Sequence, residues 1–231
     1  MVYAPFIWVT GIHPKEAEKP VLKYSSIDNL FTRSLHANLR PIAPSEWVSP
    51  CDGRILDFGP ADERQVIHVK DQAISIASFY PKFKVAQYMV IYLSPKDCHQ
   101  VMMPADGLVQ SIQFFPGGLS TVRPSYVVAH PEVLFRNARL NFNLEMNSRQ
   151  ATMIMVGALN VSSVSTPFSK QQRLPLSHPS KEMLVKQEVP KGDRVGTFHL
   201  GSTVVLLFEH PIAFKRDFAP GYRIVFGEAL T

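Results

Sequence analysis

A serine that follows glycine at the head of an apolar run is where chemistry first shows in this sequence. Gly201-Ser202-Thr203 leads straight into Val204-Val205-Leu206-Leu207-Phe208. Five consecutive apolar residues read as a strand buried on both faces. Such a strand holds the Ser202 hydroxyl at a rigid mouth. Gly201 has no Cβ, so its carbonyl can be approached closely and its backbone tolerates strain. The chemistry suited to this arrangement is attack by Ser202 on the peptide bond just before it. A hydroxyl is a weak nucleophile and needs a base, itself oriented by a third group. Titratable residues follow a second apolar run: Val85–Leu93 ends in Ser94-Pro95-Lys96-Asp97-Cys98-His99. Polar residues just past a buried strand are where sites tend to sit. Taken alone, Gly-Ser-Thr is an ordinary turn, Asp52 a turn residue and His99 a surface or capped-strand histidine.

The elements that must position these residues are mostly strands. The chain has 231 residues, 45% of them hydrophobic, with 12 glycines and 19 prolines. That length suits one domain, and frequent turns favour a β-rich fold over a helix bundle. The expected class is α+β: a single compact domain of antiparallel or mixed sheets with a short helical N-terminal region. The expected division is 1–45 for that segment and 46–231 for a β-rich catalytic domain. Pro14 to Lys19 reads as a short helix. Ser26 caps a second, with Leu30, Phe31 and Leu35 on one face and Pro41 as its stop. Pro50-Cys51-Asp52-Gly53 and, 54 residues later, Pro104-Ala105-Asp106-Gly107 form a weak internal repeat. Asp-Gly between apolar stretches reads as a hairpin signal. Lys191-Gly192-Asp193 reads as another hairpin, and Pro131 to Arg139 as a short helix. Ala151 to Val164 reads as a strand pair broken at Gly157. Pro167 to Ser180 reads as a surface loop, and Arg223 to Phe226 as a closing strand.

Several function classes fall away. No apolar run reaches the 18 residues that suggest a membrane-spanning helix. Two cysteines, Cys51 and Cys98, make no disulfide framework. The sequence holds no zinc-type Cys/His spacing, no phosphate-binding glycine loop and no RNA-binding aromatic motif. Net charge is +5 with the basic residues scattered, which suits an anionic partner, a membrane surface as well as nucleic acid.

Beyond these local readings, the chain resembles the phosphatidylserine decarboxylase family, the pyruvoyl-dependent enzymes of membrane lipid synthesis. The shared phrases run in order. They are Asn29-Leu30-Phe31-Thr32-Arg33 through Arg40-Pro41, Ser49-Pro50-Cys51-Asp52-Gly53 and Leu93-Ser94-Pro95-Lys96-Asp97-Cys98-His99. Phe115-Pro116-Gly117, Leu134-Phe135-Arg136-Asn137, Val156-Gly157-Ala158, Lys191-Gly192-Asp193 and Leu200-Gly201-Ser202-Thr203 follow. The resemblance implies a proenzyme that cuts itself between Gly201 and Ser202. Ser202 would become a covalent pyruvoyl group, the cofactor, whose carbonyl takes up the substrate amine and accepts electrons as carbon dioxide leaves. It implies that Asp52 orients a base, that His99 is the acid/base of decarboxylation, and that Asp97 supports them. The family's triad histidine falls on Met102. Cys98, Gln100 and Ala138 are further departures, and Val161-Ser162-Ser163 stands for Val-Gly-Ser. The implied partners are phosphatidylserine and an anionic membrane surface, with a homodimer allowed for and nucleic acid not expected. The implied location is peripheral, on a cytoplasmic membrane face.

Met102 keeps a second reading open. A thioether cannot take a proton near neutral pH. An unprocessed, non-catalytic relative that binds phospholipid or a protein is therefore an alternative, and a pyruvoyl enzyme for another headgroup is a third. His99 is one substitute base. His199, three residues before Ser202, is another, expected to face solvent. Tyr3, Phe6, Ile7 and Trp8 read either as an interfacial anchor or as packing on the domain. Residues 165–190 read as a lid or a loop.

Overall fold

The computed structural model describes residues 3–69, 72–158, 163–169, 174–175, 181–199 and 202–231. Short helices come first: α1 (Tyr3–Thr10) and α2 (Ile27–Phe31), with single 3-10 turns at Pro14–Glu16 and Val21–Lys23 between them. Ser26 caps α2 as its type predicts, accepting from Asn29 N at 3.1 Å. The helix stops at Phe31, well before Pro41, because Thr32 and Arg33 turn the chain away. Leu30 and Phe31 are buried on it; Leu35 lies beyond it in a bridge to Ala17.

The strands are β1 (Gly53–Pro60), β2 (Val66–Val69), β3 (Gln72–Ser75), β4 (Gln87–Leu93), β5 (Gln100–Met102) and β6 (Gly107–Phe115). Two helices, α3 (Pro124–Ala129) and α4 (Val133–Arg136), precede β7 (Arg139–Met146) and β8 (Arg149–Val156). Then come β9 (Ser163–Ser165), β10 (Leu174–Pro175), β11 (Lys181–Val189), β12 (Arg194–Phe198), β13 (Ser202–Phe208) and β14 (Arg223–Ile224). The fold is the expected β-rich one, with antiparallel strand pairs. Its main sheet runs β11-β6-β7-β8-β13-β4-β1-β14, and a smaller sheet runs β10-β9-β12-β5.

Strand β13 lies inside the main sheet, and all seven of its residues are buried. That matches the unbroken apolar run, since a strand covered on both faces has no polar side to alternate with. Burying side chains of this size contributes roughly 1.5–3 kcal/mol each. Its neighbours are β4, which pairs Ser202 with Leu93, and β8, which pairs Thr203 with Val156. The small sheet packs on this core at Gly196, where a Cβ would collide with the Met155 sulfur.

The Asp-Gly corners are not hairpins. Asp52-Gly53 feeds β1, which pairs with β4 and β14; Asp106-Gly107 follows β5 but feeds β6 in the other sheet. Lys191-Gly192-Asp193 likewise joins β11 of the main sheet to β12 of the small one. The repeat does have a shared physical basis. At Gly53 a Cβ would strike the Tyr92 carbonyl oxygen, and at Gly107 that of Glu145. Both corners need glycine where a strand passes close. Helix α4 lies within the expected Pro131–Arg139, and β8 and β9 lie on either side of Gly157, in different sheets. Most of Pro167–Ser180 lies outside the described residues.

Candidate active site

Ser202 opens β13 and is fully buried, and its Oγ has no hydrogen-bond partner. The strand beside it, β4, runs on into the turn that carries Asp97 and His99. Asp97 shapes that turn: its Oδ2 accepts from Ser94 N at 2.7 Å and from Ser94 Oγ at 2.6 Å, while Arg223 Nη1 stands 3.5 Å from Oδ1. Just after it, His99 is also fully buried. Its carbonyl accepts from Phe198 N at 2.9 Å, which ties this turn to the end of β12, close in sequence to Ser202.

His99 has a defined protonation state. Nδ1 lies 3.0 Å from the Asp97 carbonyl oxygen. A carbonyl only accepts, so Nδ1 carries the proton and Nε2 keeps its lone pair. Nε2 has no partner. Burial, aided by the nearby Arg33 charge, pushes the ring's pKa from 6.5 down to about 3. The ring is therefore neutral at ordinary pH. Phe31 covers it with ring centroids 4.0 Å apart. Arg33, itself buried, is held by the carbonyls of Phe31 and Lys96.

Asp52 sits elsewhere in the site's frame. Arg40 clasps it, with Nε at 3.2 Å and Nη2 at 2.9 Å, and Phe226 N donates to it at 2.9 Å. Burial opposes the Arg40 charge, but the hydrogen bonds and charge of Asp52 outweigh it and raise its pKa. Met102 lies against the same corner, its N donating to Pro50 O at 2.8 Å. The position expected to hold a histidine thus lies beside the expected aspartate, but a buried thioether stands there. Gln100 ties β5 to the end of α2, donating to Thr32 O and Ser34 Oγ, each at 3.1 Å. Both cysteines are free and buried. Burial pushes the Cys98 thiol up to about 12 and raises Cys51 well above its usual value. Neither is a nucleophile.

His199 does not face solvent. Its side chain is 13% exposed and bridges two groups. Nδ1 is 3.0 Å from Asp28 Oδ1, and Nε2 is 3.0 Å from Ser165 Oγ. The contact across the sheet arises because β12 pairs with β9, setting Thr197 opposite Ser165. Asp28 and Ser165 carried no sequence signal. They lie 171 and 34 residues from His199, and only the fold brings them together. Gly201, Val161 and Ser162 lie outside the described residues.

A model of the family described as phosphatidylserine decarboxylase matches residues 27–231. The chain belongs to the phosphatidylserine decarboxylase family. The phosphatidylserine decarboxylase proenzyme of Nitrosospira multiformis is 33% identical, over 98% of this chain and 83% of its own length. Those of a Polaromonas species and of Albidiferax ferrireducens are 33% and 31% identical, over 93% and 95% of this chain and 81% and 82% of their own. The family is one of carboxy-lyases, and these relatives are named as proenzymes.

Proposed function

We propose that the chain cuts itself between Gly201 and Ser202 and then decarboxylates phosphatidylserine to phosphatidylethanolamine. The observation that carries this is a pair of buried, unpartnered polar atoms, Ser202 Oγ and His99 Nε2, on segments bonded to one another. Leaving such an atom unsatisfied costs roughly 1–3 kcal/mol, and unexplained cases cluster where groups are used chemically.

In self-cleavage the Ser202 hydroxyl bonds to the Gly201 carbonyl carbon and the peptide C–N bond breaks, leaving an ester. Elimination frees 1–201 as a carboxylate and leaves dehydroalanine at 202. Water then displaces its nitrogen as ammonia. The pyruvoyl group so formed supplies an electron sink for loss of carbon dioxide. Position 202 fits it, being fully buried with no competing partner for its side-chain oxygen. His99 is pinned through Nδ1 and keeps Nε2 unpartnered. In the neutral ring Nε2 carries a lone pair and no proton, so His99 acts as an acceptor of a proton or hydrogen bond in the decarboxylation step.

Residues 1–45 serve as the membrane-facing segment of this reading. Helix α1 has no buried residue, and it leaves Trp8 85% and Val9 74% exposed, with Leu22 nearby in sequence at 87%. Aromatic and aliphatic side chains of this kind favour the headgroup zone. Among the described residues no helix is long and apolar enough to cross a membrane. Co-sedimentation with phosphatidylserine vesicles tests the attachment.

Intact mass tests the whole. Two fragments split at 201/202, the smaller with a pyruvoyl N-terminus, and carbon dioxide release from phosphatidylserine vesicles are expected. Ser202→Ala stays whole as the control. A single full-length wild-type chain after long incubation sinks the enzyme reading. It would favour the second one, an unprocessed phospholipid-binding relative, which Met102 and the Arg40-clasped Asp52 support.

A further inference from the structure

We propose that His199, oriented by Asp28, is the base that takes the Ser202 proton during self-cleavage, in the place that Met102 cannot fill. The inference rests on the self-cleavage reading above. Asp28, His199 and Ser165 form a carboxylate–imidazole–hydroxyl chain with both imidazole contacts at 3.0 Å. A carboxylate accepts, so Nδ1 donates to Asp28 and Nε2 accepts from a serine hydroxyl. This is the arrangement by which an aspartate fixes the tautomer of a general base and steadies the cation it becomes. The imidazole is three residues from Ser202, so the two Cα atoms lie within roughly 11 Å even with the chain extended. Exchange of the Ser165 hydroxyl for that of Ser202 is the rearrangement required.

The other nearby histidine is unsuited to the task. Burial keeps the His99 ring neutral at ordinary pH, and its charged neighbour, Arg33, disfavours a second cation there. His199 has a carboxylate at hydrogen-bond distance instead. In the step itself, Nε2 takes the proton as Ser202 Oγ bonds to the Gly201 carbonyl carbon. It returns that proton to the nitrogen of residue 202 as the C–N bond breaks.

The test follows cleavage of newly synthesised full-length chain by intact mass. His199→Gln keeps hydrogen-bonding capacity but is no base, and it slows cleavage by about 10²–10⁴-fold. His199→Ala slows it similarly, and added imidazole restores cleavage. Asp28→Asn slows wild-type cleavage by about tenfold or more but adds nothing in the His199→Ala background, since the two act as a unit. Thermal melts check that each variant is folded. Cleavage of His199→Gln within threefold of wild type overturns the proposal alone, as does a slow His199→Ala that imidazole does not rescue. A wild-type chain that stays whole overturns the self-cleavage reading and the proposal with it.

Discussion

Asp52 and Asp28 are both carboxylates brought to the site's frame from the N-terminal half of the chain, and their partners differ. Asp52 is 1% exposed in its side chain and clasped by the Arg40 guanidinium; Asp28 is 29% exposed and bonded to the His199 imidazole. A guanidinium does not give up its proton in a protein. A neutral imidazole has one nitrogen that donates and one that accepts. The same acidic group therefore fastens the fold at one corner and orients an imidazole at the other. With Met102 beside it, the Asp52 carboxylate keeps its guanidinium and its backbone donor, and the corner stays structurally whole.

The largest effect that would test this contrast is on stability. Arg40→Met strands a buried carboxylate and should cost about 3–5 kcal/mol, read by chemical denaturation, whereas Asp28→Asn should cost less than about 1 kcal/mol at its more exposed site. Equal losses would erase the distinction. Next, His99→Gln should lower decarboxylation turnover by a hundredfold or more, measured on already processed protein. A small loss would remove His99 from the chemistry.

A third effect lies in acid stability. His99 takes up a proton at about pH 6.5 when unfolded but only at about pH 3 when folded. The unfolded state thus binds more protons between those values, and stability falls as pH drops through that window. At about 1.4 kcal/mol per unit, its share is roughly 2 kcal/mol between pH 6.5 and 5. His99→Phe should flatten that part of the denaturation-midpoint profile; an unchanged slope would contradict it. Smallest of all, Met102→His should speed self-cleavage by less than about tenfold, because Asp52 stays engaged by Arg40. No change in rate would mean that residue 102 does not face Ser202.

The sequence made the core strands plain. An unbroken apolar run such as Val204–Phe208 has few alternatives to a doubly covered strand, and Ser26 before Ile27 marks a helix start by its side-chain acceptor. Strand partnership was hidden. Turn residues such as Asp52-Gly53 or Gly192 fix a local bend, but whether the chain returns to the same sheet or crosses to another is decided by packing far away. Helix α3, begun by Pro124, carries little periodic pattern in six residues. At the candidate site, Ser202, His99 and Asp52 stand in ordered phrases that the sequence shows. The partners of His199 could not be found there, because the pairing of β12 with β9 and the placement of α2 bring them together.

Strand β13 is bonded on both sides along its length, to β4 from Ser202 to Phe208 and to β8 from Thr203 to Phe208. If the backbone is cut just before Ser202, residues 202–231 remain in place as a second polypeptide. Unfolding then becomes dissociation, and the stability of the mature form depends on its concentration. Refolding becomes an encounter between two different chains, one of them only thirty residues long. The uncut precursor refolds as a single molecule; the mature one, once denatured and diluted, should not return. On the proposed self-cleavage, the order of events is fold first, cut second.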